Sequence, residues 1–249
     1  RGPDDEEVRA DGGGTAARMT SAVGVTRIGL LGGTFNPIHL GHLRAAEEVR
    51  EALDLERVHF IPSNVPPHKH DAEHDPIASA ADRLAWVERA IAPHKAFSID
   101  RIELDREGPS YLVDTLEAIR ERESGAHRTV FIVGEDAFAE MGDWYAPERI
   151  FALTDLAVMT RPPGAMTDLA ERMPGIVRDV YDITAEGRRA RHRESGASIE
   201  LVPITALDIS SSQIRACCRS GRSIRFLVPE SIRGSIESSG CYGPGRRNP

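Results

Sequence analysis

Short apolar runs typical of β-strands alternate with helical patterns along the chain from about residue 27 onward. The first run, residues 28–31, is almost wholly apolar, as expected of a central parallel strand covered on both faces. Alternation of this kind predicts an α/β fold with one doubly wound parallel sheet. The candidate strands are 28–31, 58–62, 97–104, 129–133, 156–159 and 199–203. The candidate helices are 40–53, 80–92, 111–122, 147–152, 211–219 and 229–237.

The segment between the first strand and the first helix reads GGTFNPIHLGH, residues 32–42. A strand, a glycine turn and a helix in this order bring backbone amides and a positive helix end up to an anion, usually a phosphate. His39 and His42 share one face of the first helical turn. Gly32 and Gly33 alone would be typical of an ordinary turn, and the histidines alone could be capping or surface residues. Neither the dinucleotide-binding glycine motif nor the P-loop motif is present.

A second motif, DISSSQIR at residues 208–215, opens a helix near the C-terminal end. Serines at a helix start satisfy free backbone amides and can point hydroxyl groups at an anion. Arg215 lies one turn further, where a guanidinium could clamp the same phosphate oxygens. The alternative is a plain helix cap followed by a surface arginine. In doubly wound sheets ligands bind beyond the carboxyl ends of the strands, which is where the 32–42 segment begins.

Polar and aromatic residues in other candidate loops extend this prediction. Asp136 follows the strand at 129–133 and could accept hydrogen bonds from ribose hydroxyls, or it could cap the next helix. Lys69 ends a proline-rich loop, IPSNVPPHK, and could reach a phosphate. Trp144 and Tyr145 could stack on a flat heteroaromatic ring, or they could pack a loop onto the core. The histidines of the proline-rich region, His68, His70 and His74, fit no structural zinc pattern.

Composition limits the classes of partner. The formal net charge of −8 and the pI near 5.6 argue against nucleic acid as the main partner. No apolar run approaches the roughly 20 residues that span a bilayer, so no membrane partner is expected. The three cysteines, Cys217, Cys218 and Cys241, resemble neither a disulfide framework nor a zinc site. A reducing compartment, the cytoplasm, is therefore expected.

The domain organisation predicted from the sequence is simple. Residues 1–26, rich in Gly, Ala, Asp and Glu, are expected to be a disordered extension, and 241–249 a flexible tail. Residues 27–240 are expected to form one domain with a loop or hairpin insertion near 164–198. The arginine-rich run at 188–193 is typical of a solvated loop or hairpin, with an anion-recruiting patch or an assembly surface as the alternative. The oligomeric state stays open, with a homo-oligomer among the possibilities.

Taken together, the motifs resemble the nucleotidyltransferase superfamily with the H-x-G-H motif. Within it they are most similar to bacterial nicotinate-nucleotide adenylyltransferase. The matching pieces run in that family's order: GGTFNPIHLGH, IPSNVPPHK, REGPSY with DTL at 106–116, VGEDAF, DW at 143–144 and DISSSQIR. The resemblance implies a Rossmann-like nucleotidyltransferase fold. It also implies adenylyl transfer from ATP to nicotinate mononucleotide, giving deamido-NAD and pyrophosphate in NAD biosynthesis.

The resemblance also implies residue roles. The catalytic residues would be His39 and His42. The ATP-binding residues would be Gly33, Thr34, Phe35, His39, His42, Gly134, Asp136, Ser210, Ser211, Ser212 and Arg215. The mononucleotide-binding residues would be Thr34, Asn64, Lys69, Tyr111, Trp144 and Tyr145. Mg²⁺ would be carried by the ATP phosphates, with no metal site on the protein.

Three positions depart from the family pattern. Asn36 stands where an aspartate is common, and Leu112 where a threonine often follows Ser-Tyr. Ala146 and Pro147 follow the Trp-Tyr pair, where a second tryptophan is frequent. The alternatives are another adenylyl or cytidylyl transfer, such as phosphopantetheine adenylyltransferase, or a non-catalytic nucleotide-binding module. The preference for nicotinate over nicotinamide mononucleotide is left open.

Overall fold

The computed structural model describes residues 26–65, 76–123, 125–161 and 167–243. The strands are β1 Thr26–Gly33, β2 Arg57–Pro62, β3 Phe97–Ile99, β4 His127–Gly134, β5 Asp155–Thr160, β6 Tyr181–Ile183, β7 Arg189–His192 and β8 Ser198–Pro203. The α-helices are α1 Leu40–Ala52, α2 Ala80–Ile91, α3 Leu112–Glu123, α4 Glu135–Glu140, α5 Pro147–Leu153, α6 Gly175–Arg178, α7 Ser211–Arg219 and α8 Glu230–Ser239. The extension predicted for 1–26 lies outside the described residues except for Thr26, and so does the histidine-containing loop with Lys69.

The described strands form one sheet in the order β3-β2-β1-β4-β5-β8-β7-β6. The six strands from β3 to β8 in this order pair in parallel, and β6 and β7 add an antiparallel hairpin at one edge. The strand order reverses at β1, because β2 and β3 lie to one side and β4, β5 and β8 to the other. This topology confirms the predicted α/β fold class. It places the ligand crevice at the carboxyl ends of β1 and β4.

The core consists of one apolar layer on each face of the sheet. Successive side chains of β1 alternate between the layers, with Leu31 in one and Leu30 in the other. Helices α1, α2, α7 and α8 cover the first face, and α3, α4 and α5 cover the second. The described helices include none that is long and apolar enough to cross a membrane.

One strand is shorter than the sequence predicts. The strand predicted for 97–104 ends at Ile99, because the carboxylate of Asp100 accepts the amide hydrogen of Ile102 at 3.1 Å and turns the chain. The arginine-rich run forms β7, within the region where a loop or hairpin was predicted. Two arginines of the run form ion pairs on the surface: Arg189 with Glu200 at 2.5 Å, and Arg193 with Asp182 at 2.8 Å.

The folded chain extends further than the tail predicted for 241–249 suggests. Tyr242 is 1% exposed, and its ring packs at 5.9 Å from that of Trp86. The Tyr242 hydroxyl donates a hydrogen bond to Oδ1 of Asn36, beside the H-x-G-H turn. Apolar burial and this bond together hold the chain in place to residue 242, so a tail could start only after it.

Replacing Tyr242 by phenylalanine keeps the ring and removes the buried hydrogen bond. We expect Tyr242→Phe to lower the free energy of unfolding by about 1 kcal/mol, measured by urea denaturation. The matched control is Tyr145→Phe, because Tyr145 is 61% exposed and its change should stay within about 0.5 kcal/mol. Equal stability of the two variants would contradict a structural role for Tyr242.

Candidate active site

A cleft of about 330 Å³ opens at the carboxyl ends of β1, β4 and β5. Both predicted motifs contribute polar side chains to its lining. The lining includes His39, His42, Gly134, Arg161, Ser210 and Ser211. The folding of the sheet therefore brings together two segments that lie about 170 residues apart in the chain.

The turn from β1 into α1 carries a strained residue. Phe35 has φ of +46°, in the left-handed region that a bulky side chain rarely adopts. Its ring points into the core, 3% exposed, and meets the His42 ring edge-on at 5.3 Å. Phe35 therefore packs against His42 from the core side, and its side chain is not part of the cleft lining. Gly33 ends β1, and Thr34 begins the turn.

The two histidines of the H-x-G-H motif form one stacked unit. Their ring centroids lie 3.7 Å apart, with the planes inclined by 28°. The backbone amide of His39 donates to Nδ1 of His42 at 3.2 Å. Because Nδ1 accepts a hydrogen bond, the neutral His42 ring carries its proton on Nε2. His42 is thereby oriented as a donor through Nε2.

His39 is the more buried of the pair, with 5% of its surface exposed. Burial, and to a smaller extent the positive charge of Arg161, lowers the pKa of His39 to about 4. His39 is therefore a neutral imidazole at physiological pH.

A side chain at the glycine of the H-x-G-H motif would be too close to its neighbours. A Cβ atom on Gly41 would lie 3.0 Å from Nδ1 of His39 and 3.5 Å from the carbonyl oxygen of Ile209. Since His39 is held in its stack with His42, it has little room to give way. Gly41 lets the histidine pair and the segment before α7 approach each other.

The serines of the second motif build the opposite wall. Ser210 caps α7, with its hydroxyl accepting from the amide of Gln213 at 3.2 Å. Ser211 donates its hydroxyl hydrogen to the carbonyl of Pro37 at 2.9 Å, which docks the start of α7 on the first turn. The amino ends of α1 and α7 thus face one cleft, and two positive helix ends favour an anion there.

Arg215 lies beneath the turn. It is 2% exposed, and Nη1 donates to the carbonyl of Asn36 at 2.7 Å while Nη2 donates to the hydroxyl of Ser212 at 3.1 Å. The surface-arginine alternative is therefore wrong. The direct phosphate contact predicted for Arg215 and for the exposed Ser212 stays a prediction.

Asp136 is not among the residues that line the cleft. Its side chain is 77% exposed and pairs with Arg172 at 2.8 Å. Its neighbour Glu135 is the buried acid of this segment and accepts the amide hydrogen of Arg161 at 3.4 Å. Gly134 lines the cleft, whereas the ribose contact predicted for Asp136 stays a prediction.

Three residues predicted to bind the mononucleotide, Tyr111, Trp144 and Tyr145, lie on the other face of the sheet. The rings of Tyr111 and Tyr145 lie 4.8 Å apart, and Trp144 packs edge-on against Phe131 at 6.5 Å. Asn64 is held by its loop partners, because its amide donates to the hydroxyl of Ser110 at 3.1 Å. The structure therefore joins Tyr111 with Tyr145, whereas Lys69 lies outside the described residues.

Two arginines at the site were missed by the sequence analysis. Arg161 follows β5 directly, and a polar residue just after a strand end is the signal that could have identified it. Arg83 lies inside α2, where an amphipathic helix pattern gives no sign that its guanidinium is buried. Among the described residues, no group of three or more His, Cys, Asp or Glu is arranged to hold a metal ion.

Comparison with known proteins agrees with this geometry. The family model described as cytidylyltransferase-like matches residues 30–217. A protein of Trichlorobacter lovleyi named "Probable nicotinate-nucleotide adenylyltransferase" is 47% identical over 88% of this chain and 100% of its own length. A protein of Geobacter sulfurreducens with the same name is 42% identical over 87% of this chain and 98% of its own length.

Solved structures share the fold. The Plasmodium falciparum nicotinic acid mononucleotide adenylyltransferase superposes with a TM-score of 0.64, in structures complexed with APC and with NaAD. The alignments cover 87% of this chain and 97% of the parasite chain, at 14% and 15% identity. The resemblance stated from the sequence motifs is confirmed: the chain belongs to the nicotinate-nucleotide adenylyltransferase family, within the cytidylyltransferase-like proteins.

Proposed function

We propose that the protein transfers the adenylyl group of ATP to nicotinate mononucleotide, which yields deamido-NAD and pyrophosphate. One observation carries the proposal: the stacked His39–His42 pair and the serine-capped start of α7 line the same cleft. The names of relatives that are 42% and 47% identical over nearly their whole length support this choice of substrates.

The reaction needs alignment and charge stabilisation more than proton transfer. The phosphate monoester of the mononucleotide attacks the α-phosphorus of ATP in line, the new P–O bond forms, and the bond to the bridging oxygen of pyrophosphate breaks. A phosphate monoester dianion is already a nucleophile, so no general base is required. Positioning of the two substrates can supply roughly 7–11 kcal/mol of the barrier, and preorganised donors stabilise the charge that develops on the phosphoryl oxygens.

Each wall of the cleft has a distinct role in this mechanism. His42 donates from Nε2 to an oxygen of the α-phosphoryl group, while His39 supports it as a neutral neighbour. The start of α7, with Ser210 and Ser211, faces the β and γ phosphates. Arg161 adds a positive charge to the same cleft. Arg215 acts through the turn that it holds, since its guanidinium is buried against Asn36.

Mg²⁺ fits this cleft as a companion of the triphosphate. The polar side chains that line the cleft among the described residues are those of histidine, serine, threonine and arginine, with no carboxylate. Such a lining suits an ion held by phosphate oxygens and water, which is how Mg²⁺ commonly binds at nucleotide sites. When bound, the ion neutralises charge on the departing pyrophosphate.

The acceptor would lie toward the second face of the sheet. Tyr111, Trp144 and Tyr145 offer aromatic surface to a pyridine ring, and Asn64 and Thr34 border the same region. Lys69 would bind the phosphate of the mononucleotide. An aromatic pair of this kind favours a pyridine nucleotide over phosphopantetheine, whose acceptor arm has no ring to stack.

The substrate assignment is tested by pyrophosphate release with ATP and a panel of acceptors. We expect release with nicotinate mononucleotide and none above background with phosphopantetheine. Nicotinamide mononucleotide in the same panel measures the preference between carboxylate and amide. Release with phosphopantetheine alone would identify the other transferase, and the absence of release with every acceptor would indicate a binding module.

The role of His42 is tested by His42→Ala. We expect kcat to fall by about 10²–10³, because one preorganised donor to the transition state is lost, while the melting temperature changes little. The matched control is His127→Ala, since His127 lies at the amino-terminal end of β4, whereas the cleft lies at the carboxyl end of that strand. Turnover near that of the wild type in His42→Ala would show that another group stabilises the phosphoryl transfer.

The neutral state of His39 predicts a pH dependence of stability. Its pKa is about 4 in the folded protein and near the ordinary 6.5 in the unfolded chain, so the unfolded chain binds more protons between these values. The free energy that this residue contributes to folding is therefore fully present above pH 6.5 and is lost as the pH falls toward 4. The loss is about 3 kcal/mol.

Urea unfolding of the wild type and of His39→Gln at several pH values isolates this contribution. The unfolding free energy of the wild type minus that of His39→Gln should decrease by about 3 kcal/mol from pH 7 to pH 4. Glutamine does not titrate, so all other groups cancel in the comparison. Parallel stability curves would mean that His39 keeps an ordinary pKa.

A further inference from the structure

Arg83 is a buried cation that donates its hydrogen bonds to backbone carbonyls. It lies in the first turns of α2, is 1% exposed, and pairs with no carboxylate in the part of the chain that the structure describes. Burial lowers the pKa of Arg83, which reflects the cost of removing its charge from water. An apolar side chain of similar volume would fill this space at lower cost. The arginine therefore has a reason beyond packing.

All three guanidinium nitrogens bind backbone carbonyls of separate segments. Nη1 donates to Thr34 at 2.8 Å, Nη2 to Asn64 at 3.3 Å, and Nε to Ala78 at 3.1 Å. Thr34 follows β1, Asn64 follows β2, and Ala78 leads into α2. A planar fork with fixed donor directions sets the spacing between these carbonyls, which a flexible ammonium group cannot do.

The segment at Asn64 continues to the aromatic pair. The backbone amide of Asn64 donates to the hydroxyl of Ser110, and the backbone amide of Ser110 donates to the carbonyl of Val65 at 3.1 Å. Tyr111, whose ring lies 4.8 Å from that of Tyr145, comes next in the chain. A shift of the Asn64 carbonyl would therefore move Tyr111 in the proposed acceptor pocket, because Val65 and Ser110 connect the two.

The Ala78 end is fixed as well. Its amide donates to Oδ1 of Asn36 at 3.0 Å, and Nδ2 of Asn36 donates to the carbonyl of Pro76 at 3.0 Å. Arg83 and Asn36 therefore hold the same short segment from two sides. Through Thr34, Arg83 also touches the turn that carries the histidine pair.

We propose that Arg83 is a positioning residue for the acceptor mononucleotide: it sets the distance between the Thr34 turn and the Asn64 loop, between which the acceptor binds. This inference rests on the proposed function. It goes beyond it by assigning acceptor affinity to a side chain that touches no substrate.

The test compares Arg83→Lys with Val87→Ala. Lysine keeps the charge and loses the planar set of donors, whereas Val87→Ala weakens the same helix at a buried position in the apolar core. For Arg83→Lys we expect the KM for nicotinate mononucleotide to rise at least tenfold, with the KM for ATP within threefold of the wild type. Val87→Ala should lower the melting temperature and leave both KM values within twofold.

A second variant guards against misfolding. If Arg83→Lys is unfolded at the assay temperature, Arg83→Gln carries the same expectation, because it removes the buried charge and retains at most part of the bonding. Wild-type KM values in a folded Arg83 variant would overturn the assignment. So would an equal rise of the acceptor KM in Val87→Ala, which would reduce the effect to general destabilisation.

The two proposals fail in different ways. If the wild-type protein releases pyrophosphate with nicotinate mononucleotide and the Arg83 variants match it, only the positioning role is wrong. If the wild-type protein releases none with that acceptor, the proposed function is wrong and the role of Arg83 is wrong with it.

Discussion

Asn36, buried in the turn after β1, makes the contacts on which the arrangement of the site depends. Its backbone carbonyl accepts a hydrogen bond from Arg215. In its side chain, Oδ1 accepts from the Tyr242 hydroxyl and from the backbone amide of Ala78, and Nδ2 donates to the carbonyl of Pro76. A buried polar network in which each member is bonded holds a single geometry. The network also explains why an amide serves where an aspartate is common, because a carboxylate could not donate to the Pro76 carbonyl.

From this contact the donor side of the site follows. The turn that Asn36 anchors leads directly into His39 and His42, and the Arg215 that binds it belongs to the helix that Ser210 caps. The two helix ends are thus locked to each other through the turn between them. Two neutral or positive walls fixed in advance need no rearrangement when a triphosphate arrives, which is what electrostatic catalysis requires.

The acceptor side has its own buried arginine. Arg215 joins α7 to the turn after β1, and Arg83 joins α2 to the same turn and to the loop after β2. Both guanidinium groups donate hydrogen bonds to backbone carbonyls of loops at the carboxyl ends of parallel strands. These ends have no ladder partners beyond the sheet, so the arginines supply the bonds that fix loops on which substrates would bind.

The alternation of apolar runs and helical patterns was enough to predict the fold class, and the rule for parallel sheets was enough to place the 32–42 segment at the carboxyl ends of the strands. These two inferences needed only local periodicity and chain direction. The association of His39 and His42 with Ser210 and Ser211 was implied by the family resemblance, and the fold brings these residues to one cleft. Tertiary packing decided which side chains are buried and which are exposed. It buries Arg215, Arg83 and Tyr242 and leaves Asp136 exposed. A charged or aromatic residue in a helix or near a chain end has the same local pattern whether it faces water or the core. Only the neighbouring segments, distant in the chain, determine which of the two it does.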